Sequence, residues 1–186
     1  MHDPEYLDQY EQRLTQQLLR LATDAGVLKG QLLETPDLEE RWKDIAAAYL
    51  ADAVPEIAQY PNVALGWIVY VGMALARKWD EDWSNYSAQP DLYAPLRDAR
   101  GFDCMDEFVR EGILGFERDG IEYHQAEGLV RRLAQTALDL IRHEAIEPQS
   151  PMAFHVFVRS IHALFLVGAS IELLRLGYKW EPMGQA

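Results

Sequence analysis

The chain holds a single cysteine, Cys104, in 186 residues. No intramolecular disulfide can form, which argues for a reducing, cytoplasmic compartment. Clustered Lys and Arg are also missing: 17 basic side chains stand against 30 acidic ones, a formal net charge of −13. Such a surface repels a phosphate backbone and an anionic bilayer alike, so the sequence predicts neither nucleic acid nor membrane as a partner. Residues Met1 to Tyr6 lack the basic and apolar regions of a signal peptide. No run is both long enough and free enough of charge for a bilayer: Val63 to Ala76 is too short, and Met152 to Leu176 carries Arg159, Glu172 and Arg175. No segment sustains a two-residue alternation, and Asp119-Gly120 falls between helical patterns rather than β-branched runs, so a β fold is not expected.

What remains is apolar and helical. At 49% hydrophobic residues the chain is too apolar for disorder and long enough to enclose a core without staples. Leu7, Tyr10, Leu14, Leu18 and Leu21 recur at three- and four-residue steps behind an Asp3 cap and Pro4, and Gly26 closes that stripe. Leu38, Trp42, Ile45 and Tyr49 follow Thr35-Pro36; Met105, Phe108, Val109, Ile113 and Phe116 follow a capping-box-like Asp103/Asp106; Leu129, Val130, Leu133, Ala137, Leu140 and Ile141 make a further stripe. These patterns predict an all-α fold, one domain over 1–186, with five to six main helices and a loop at 84–90. The acid excess lies in residues 1–60, with 5 basic and 12 acidic side chains, and 101–150, with 5 and 11. Segments 62–79 and 151–177, the second behind a Ser150-Pro151 cap, are apolar nearly all round, so they are placed at the centre, sheathed by amphipathic acidic helices 4–25, 36–53, 103–119 and 122–145. Gly66, Gly72 and Ala76 on one, with Gly168 and Ala169 on the other, provide for close backbone approach, which explains mid-helix glycines that otherwise cost roughly 1 kcal/mol each.

Two groups of side chains have chemical potential. In Lys78-Trp79-Asp80-Glu81-Asp82-Trp83, three acids sit between two tryptophans at the end of a core helix, where the dipole disfavours them. They have either ended the helix or found cationic partners. Carboxylate oxygens suit Mg²⁺ or Ca²⁺, but the spacing is not that of an EF-hand. An aspartate-rich prenyl-diphosphate motif needs acids four apart, and Ser84 follows Asp80 at that distance. On the last helix His155, Arg159 and His162 share one face. The histidines lie about 10 Å apart along the axis, too far to chelate one ion, and no His-x-x-x-His pair exists to hold zinc. The expectation is that they bond neighbouring backbone or acids. If 62–79 and 151–177 lie antiparallel, His155 and Arg159 face Asp80, Glu81 or Asp82 in one polar pocket lined by Trp79, Trp83 and Tyr86.

No complete catalytic set emerges: no Glu-x-x-His occurs, and Cys104 is flanked by Asp103 and Asp106, which oppose a reactive thiolate. No metal or cofactor is expected. The sequence therefore predicts a non-catalytic helical protein acting by self-association, as a homodimer, or by binding a basic partner steered by its acidic faces. Two other readings stand beside it. One is a metal-dependent hydrolase of a small phosphorylated or polar substrate, using Asp80, Glu81 and Asp82 with His155 or His162. The other is an apolar-ligand carrier with its pocket between the two central helices.

Overall fold

The computed structural model describes residues 3–179; Met1, His2 and the segment 180–186 lie outside the described residues. Among the described residues the fold is all-α, with eight α-helices: α1 (Pro4–Asp24), α2 (Pro36–Glu40), α3 (Trp42–Ala53), α4 (Pro61–Tyr86), α5 (Ala94–Asp98), α6 (Met105–Phe108), α7 (Ile121–His143) and α8 (Pro151–Arg175). Two of the expected caps form. The Asp3 carboxylate accepts from the Glu5 and Tyr6 amides at 3.1 and 3.2 Å, and the Ser150 hydroxyl from the Ala153 amide at 3.1 Å. Both precede a proline that has no amide hydrogen to satisfy.

α4 and α8 form the buried centre, as their apolar circumference requires. By length and composition α8 alone qualifies to cross a membrane among the described residues, yet 78% of its most apolar window is buried inside the protein. The two helices touch backbone to backbone through a reciprocal pair of glycines. A Cβ on Gly72 would come within 2.3 Å of the Phe165 carbonyl oxygen, and a Cβ on Gly168 within 2.3 Å of the Val69 carbonyl oxygen. Each glycine thus seats the carbonyl three residues before the other.

The direction of this packing differs from the antiparallel expectation. Arg77 lies beside Glu172, and Asp80 and Trp79 lie beside Tyr178, so α4 and α8 run parallel. Short connections enforce antiparallel neighbours, but residues 87–150 intervene here and supply a helix that runs back. That helix is α7: Asn62 bonds Gln135, and Gly66 packs on Val130 and Ala134. α1 covers α8 and α7, with the Tyr10 hydroxyl 2.6 Å from the Ser160 hydroxyl. α3 covers the other side, running opposite to α4, with Trp42 on the Phe165 ring and the Tyr49 hydroxyl donating to the Ala64 carbonyl.

Several boundaries differ from the sequence pattern. The span 36–53 divides at Arg41 into α2 and α3, because the Arg41 guanidinium reaches the carbonyls of Ser87 and Gln89. The expected loop at 84–90 begins only after Tyr86, since the last helical turn carries through Ser84. The stretch 103–119 is not one helix. It comprises a 3-10 turn, the four-residue α6 and a π turn over Val109–Ile113, and Asp103 caps nothing. Arg110 accounts for the π turn. Its side chain is only 1% exposed, 3.9 Å from the Tyr123 ring centroid and 5.6 Å from that of Tyr70. It pairs with Asp106 at 2.9 Å and Glu127 at 3.2 Å. The widened turn places a guanidinium inward where α-helical spacing would leave it on the surface.

The glycine contact is testable. Gly168→Ala is expected to destabilise the protein by about 1–3 kcal/mol through overpacking, read by urea unfolding. Gly128→Ala on α7, where an added Cβ meets nothing within 4 Å, is expected to stabilise it by roughly 1 kcal/mol through helix propensity.

Candidate functional site

The acidic segment resolves both ways the sequence allowed. Glu81 has cationic partners, Arg77 at 3.2 Å and Lys78 at 3.6 Å. Asp82 ends the helix: its backbone is extended at φ −167°, ψ 80°, and its carboxylate accepts from the Asn85 amide at 3.3 Å. It therefore caps the start of the final turn, where the dipole favours a negative charge. Asp80 accepts the Tyr178 hydroxyl at 2.8 Å, and the Trp79 indole N–H donates to Asp37 at 2.8 Å. The Tyr86 hydroxyl donates to the Leu92 carbonyl, and Trp83 packs half-buried beside the Tyr86 ring.

The polar stripe of α8 goes elsewhere. Arg159 pairs with Asp8 at 2.6 Å and Glu11 at 3.8 Å, both on α1. His162 is held between Glu11 at 3.2 Å and Glu39 at 3.0 Å, with the Trp42 ring 5.1 Å away. His155 stands near the start of α8, its ring 5.9 Å from that of Phe154. The structure does not bring this stripe together with Asp80, Glu81 and Asp82. With α4 and α8 parallel, His155 and the Asp80–Tyr178 contact occupy opposite ends of the bundle, on the order of 30 Å apart along the axis. Glu81, Asp82 and Tyr86 do share a shallow depression of about 280 Å³ with Lys78, Asn85 and Gln89. Among the described residues no three or more His, Cys, Asp or Glu side chains converge to hold a metal ion.

A larger cleft lies between the first half of α7 and the α4–α8 pair, beside the last turns of α8. It measures about 480 Å³. Met73 of α4 and Ile171 of α8 line it together with Leu114, Phe116, Ala126 and Leu129, and Ala25 and Val27 close one side. Its polar wall is Glu172, itself only 1% exposed. Burying a carboxylate is costly unless it is paired and hydrogen-bonded. The Arg175 guanidinium grips both Glu172 oxygens at 2.6 and 2.8 Å, Arg77 stands 3.7 Å away, and Arg175 covers the Phe116 ring at 5.1 Å. Glu122, His124, Gln125, Gly128 and Arg132 of α7 form the opposite rim.

Gly128 leaves one wall of this cleft without a side chain. Gly66, Gly72 and Gly168 each have a neighbour that a Cβ would press, the nearest at 3.2, 2.3 and 2.3 Å. Gly128 lines the cleft and has nothing within 4 Å. Sequence reasoning passed over this residue, together with Arg110 and the cleft itself. The signal available was a mid-helix glycine in a helix with no close partner.

No family model, curated protein or solved structure matches the chain.

His162 generates a prediction. Burial opposes the charged ring, but hydrogen bonding and attraction from Glu11, with attraction from Glu39, outweigh it and hold the pKa above its ordinary value. Asp8 and Arg159 are the other charges at this contact. A folded-state pKa raised above the unfolded value contributes stability in full below about pH 6.5, and that contribution is lost as pH rises through the folded pKa. The stability gap between the wild type and His162→Gln is therefore expected to narrow above pH 6.5 in urea titrations. A gap that widens would contradict the assignment.

Proposed function

We propose that this chain is a non-catalytic binding protein that carries a small, mostly apolar ligand in the cleft between α7 and the α4–α8 pair. The observation that carries the reading is the cleft itself, about 480 Å³, with Met73, Leu114, Leu129 and Ile171 lining it. That volume and that apolar lining with a few polar groups are characteristic of small-molecule sites, which in bundles lie between helices. Gly128 adds a second support. A helical glycine costs roughly 1 kcal/mol relative to alanine, and none of the chain's own atoms approaches this one. A ligand that lies close against the α7 backbone accounts for it. The lone Cys104 is the ground for placing the carrier in the cytoplasm.

A second reading, self-association as a homodimer, rests on the opposite end of the bundle. Val54, Tyr60 and Phe154 are 43%, 52% and 46% exposed there, at the end of α3 and the starts of α4 and α8. Light scattering distinguishes a dimer from a monomer.

Cleft filling tests the leading reading. The neutral dye Nile red is expected to brighten on binding the wild-type protein, and Gly128→Leu is expected to abolish most of that signal. The same substitution is expected to leave the melting temperature unchanged or higher, since leucine is a far better helix former than glycine. Undiminished dye binding by a folded Gly128→Leu protein would overturn the cleft as the site.

A further inference from the structure

Arginine pairing in this acid-rich chain has an instructive exception. Among the described residues every arginine side chain except Arg20, Arg132 and Arg142 bonds a carboxylate or a backbone carbonyl. Two of those three line one depression of about 370 Å³ between α1 and α7, with Gln17, Leu21, Asp24 and Thr136. Arg132 lines that depression and the apolar cleft alike, so the two spaces adjoin at its side chain. Asp24 shares the depression but forms no ion pair with either arginine.

We propose, resting on the reading of the cleft as a ligand site, that the ligand is a single-chain amphiphile with an anionic headgroup, a carboxylate or a phosphate monoester. The headgroup sits between Arg132 and Arg20, and the tail runs into the cleft along Met73, Leu129 and Ile171. Guanidinium donors form a planar fork that matches both head chemistries and binds each bidentately. Two unpaired guanidiniums on one groove repel each other, and an anion between them relieves that repulsion. A cationic head is disfavoured there because the two guanidiniums outnumber the one carboxylate of the depression, Asp24. Glu172, the buried acid of the cleft, already has both oxygens taken by Arg175. Glu122 lies about 15 Å along α7 from Arg132, which leaves the Arg132 end of the cleft for the head.

The test is calorimetric titration of the full chain with laurate and dodecyl phosphate below their micelle concentrations and with dodecanol below its solubility limit. At least one of the two anions is expected to bind tenfold or more tightly than dodecanol, and the tighter anion names the head chemistry. That advantage is expected to shrink with added salt, because exposed charges are screened. The double variant Arg20→Met/Arg132→Met is expected to bring the favoured anion to within about twofold of dodecanol, both measured on that variant. Gly128→Leu is expected to weaken all three. Equal binding of both anions and dodecanol to the wild type overturns the headgroup assignment and leaves the cleft intact. Failure of all three to bind overturns the cleft reading as well.

Discussion

The rest of the molecule depends on the approach of α4 to α8 at Gly72 and Gly168. Removing two side chains lets each helix press on the other's carbonyl groups, and the surrounding Val69, Phe165 and Ala169 close over the contact with no measurable exposure. Two helices that are apolar around most of their circumference then have the remaining faces to cover. α1 and α7 do so with single stripes, which is why those helices are the amphipathic ones, and the short α3 covers the face between them. Dispersion and the hydrophobic effect reward this geometry only where the surfaces interlock closely, so the glycines act by shape rather than by any bond they form.

Charges inside this frame are few and fully partnered. Arg110 is enclosed by two tyrosine rings and two carboxylates, and Glu172 by two guanidiniums. Removing one member of such a set leaves an uncompensated buried charge, which is why these groups specify local geometry strongly. Arg110 dictates a π turn, and the turn in turn carries the chain to Leu114 and Phe116 on the cleft wall. A buried cation in one segment thereby sets the shape of a cavity lined by others. Tyr6, Arg13 and Glu144 play the same part at the opposite end, where they tie α1 to the end of α7.

The fold was legible where it rests on period and capping. The helical stripes, the Asp3 and Ser150 caps and the glycine contact all follow from residue spacing. Helix direction did not, because an apolar stripe reads the same whichever way its neighbour runs. The π turn was hidden because Arg110, by type, belongs on a surface. Asp82 was half legible: three acids at a helix end required a break or cations, and Asp82 and Glu81 supply one each. The site was the least legible part. Arg159 and His162 attracted notice as polar groups on an apolar helix, yet their partners Asp8, Glu11 and Glu39 make them clasps between helices. The cleft is assembled from apolar residues of five separate segments, each of which reads as ordinary core until the segments are placed together.

The parallel central pair also shapes how the protein comes into being. α4 is made early, and the face that carries Gly72 has no mate until α8 has been synthesised half a chain later. Closing so distant a contact is slow relative to local helix formation. During translation the chain therefore presents a bare greasy rod for the time the ribosome takes to add the second half, and nascent-chain chaperones have a defined segment to shield.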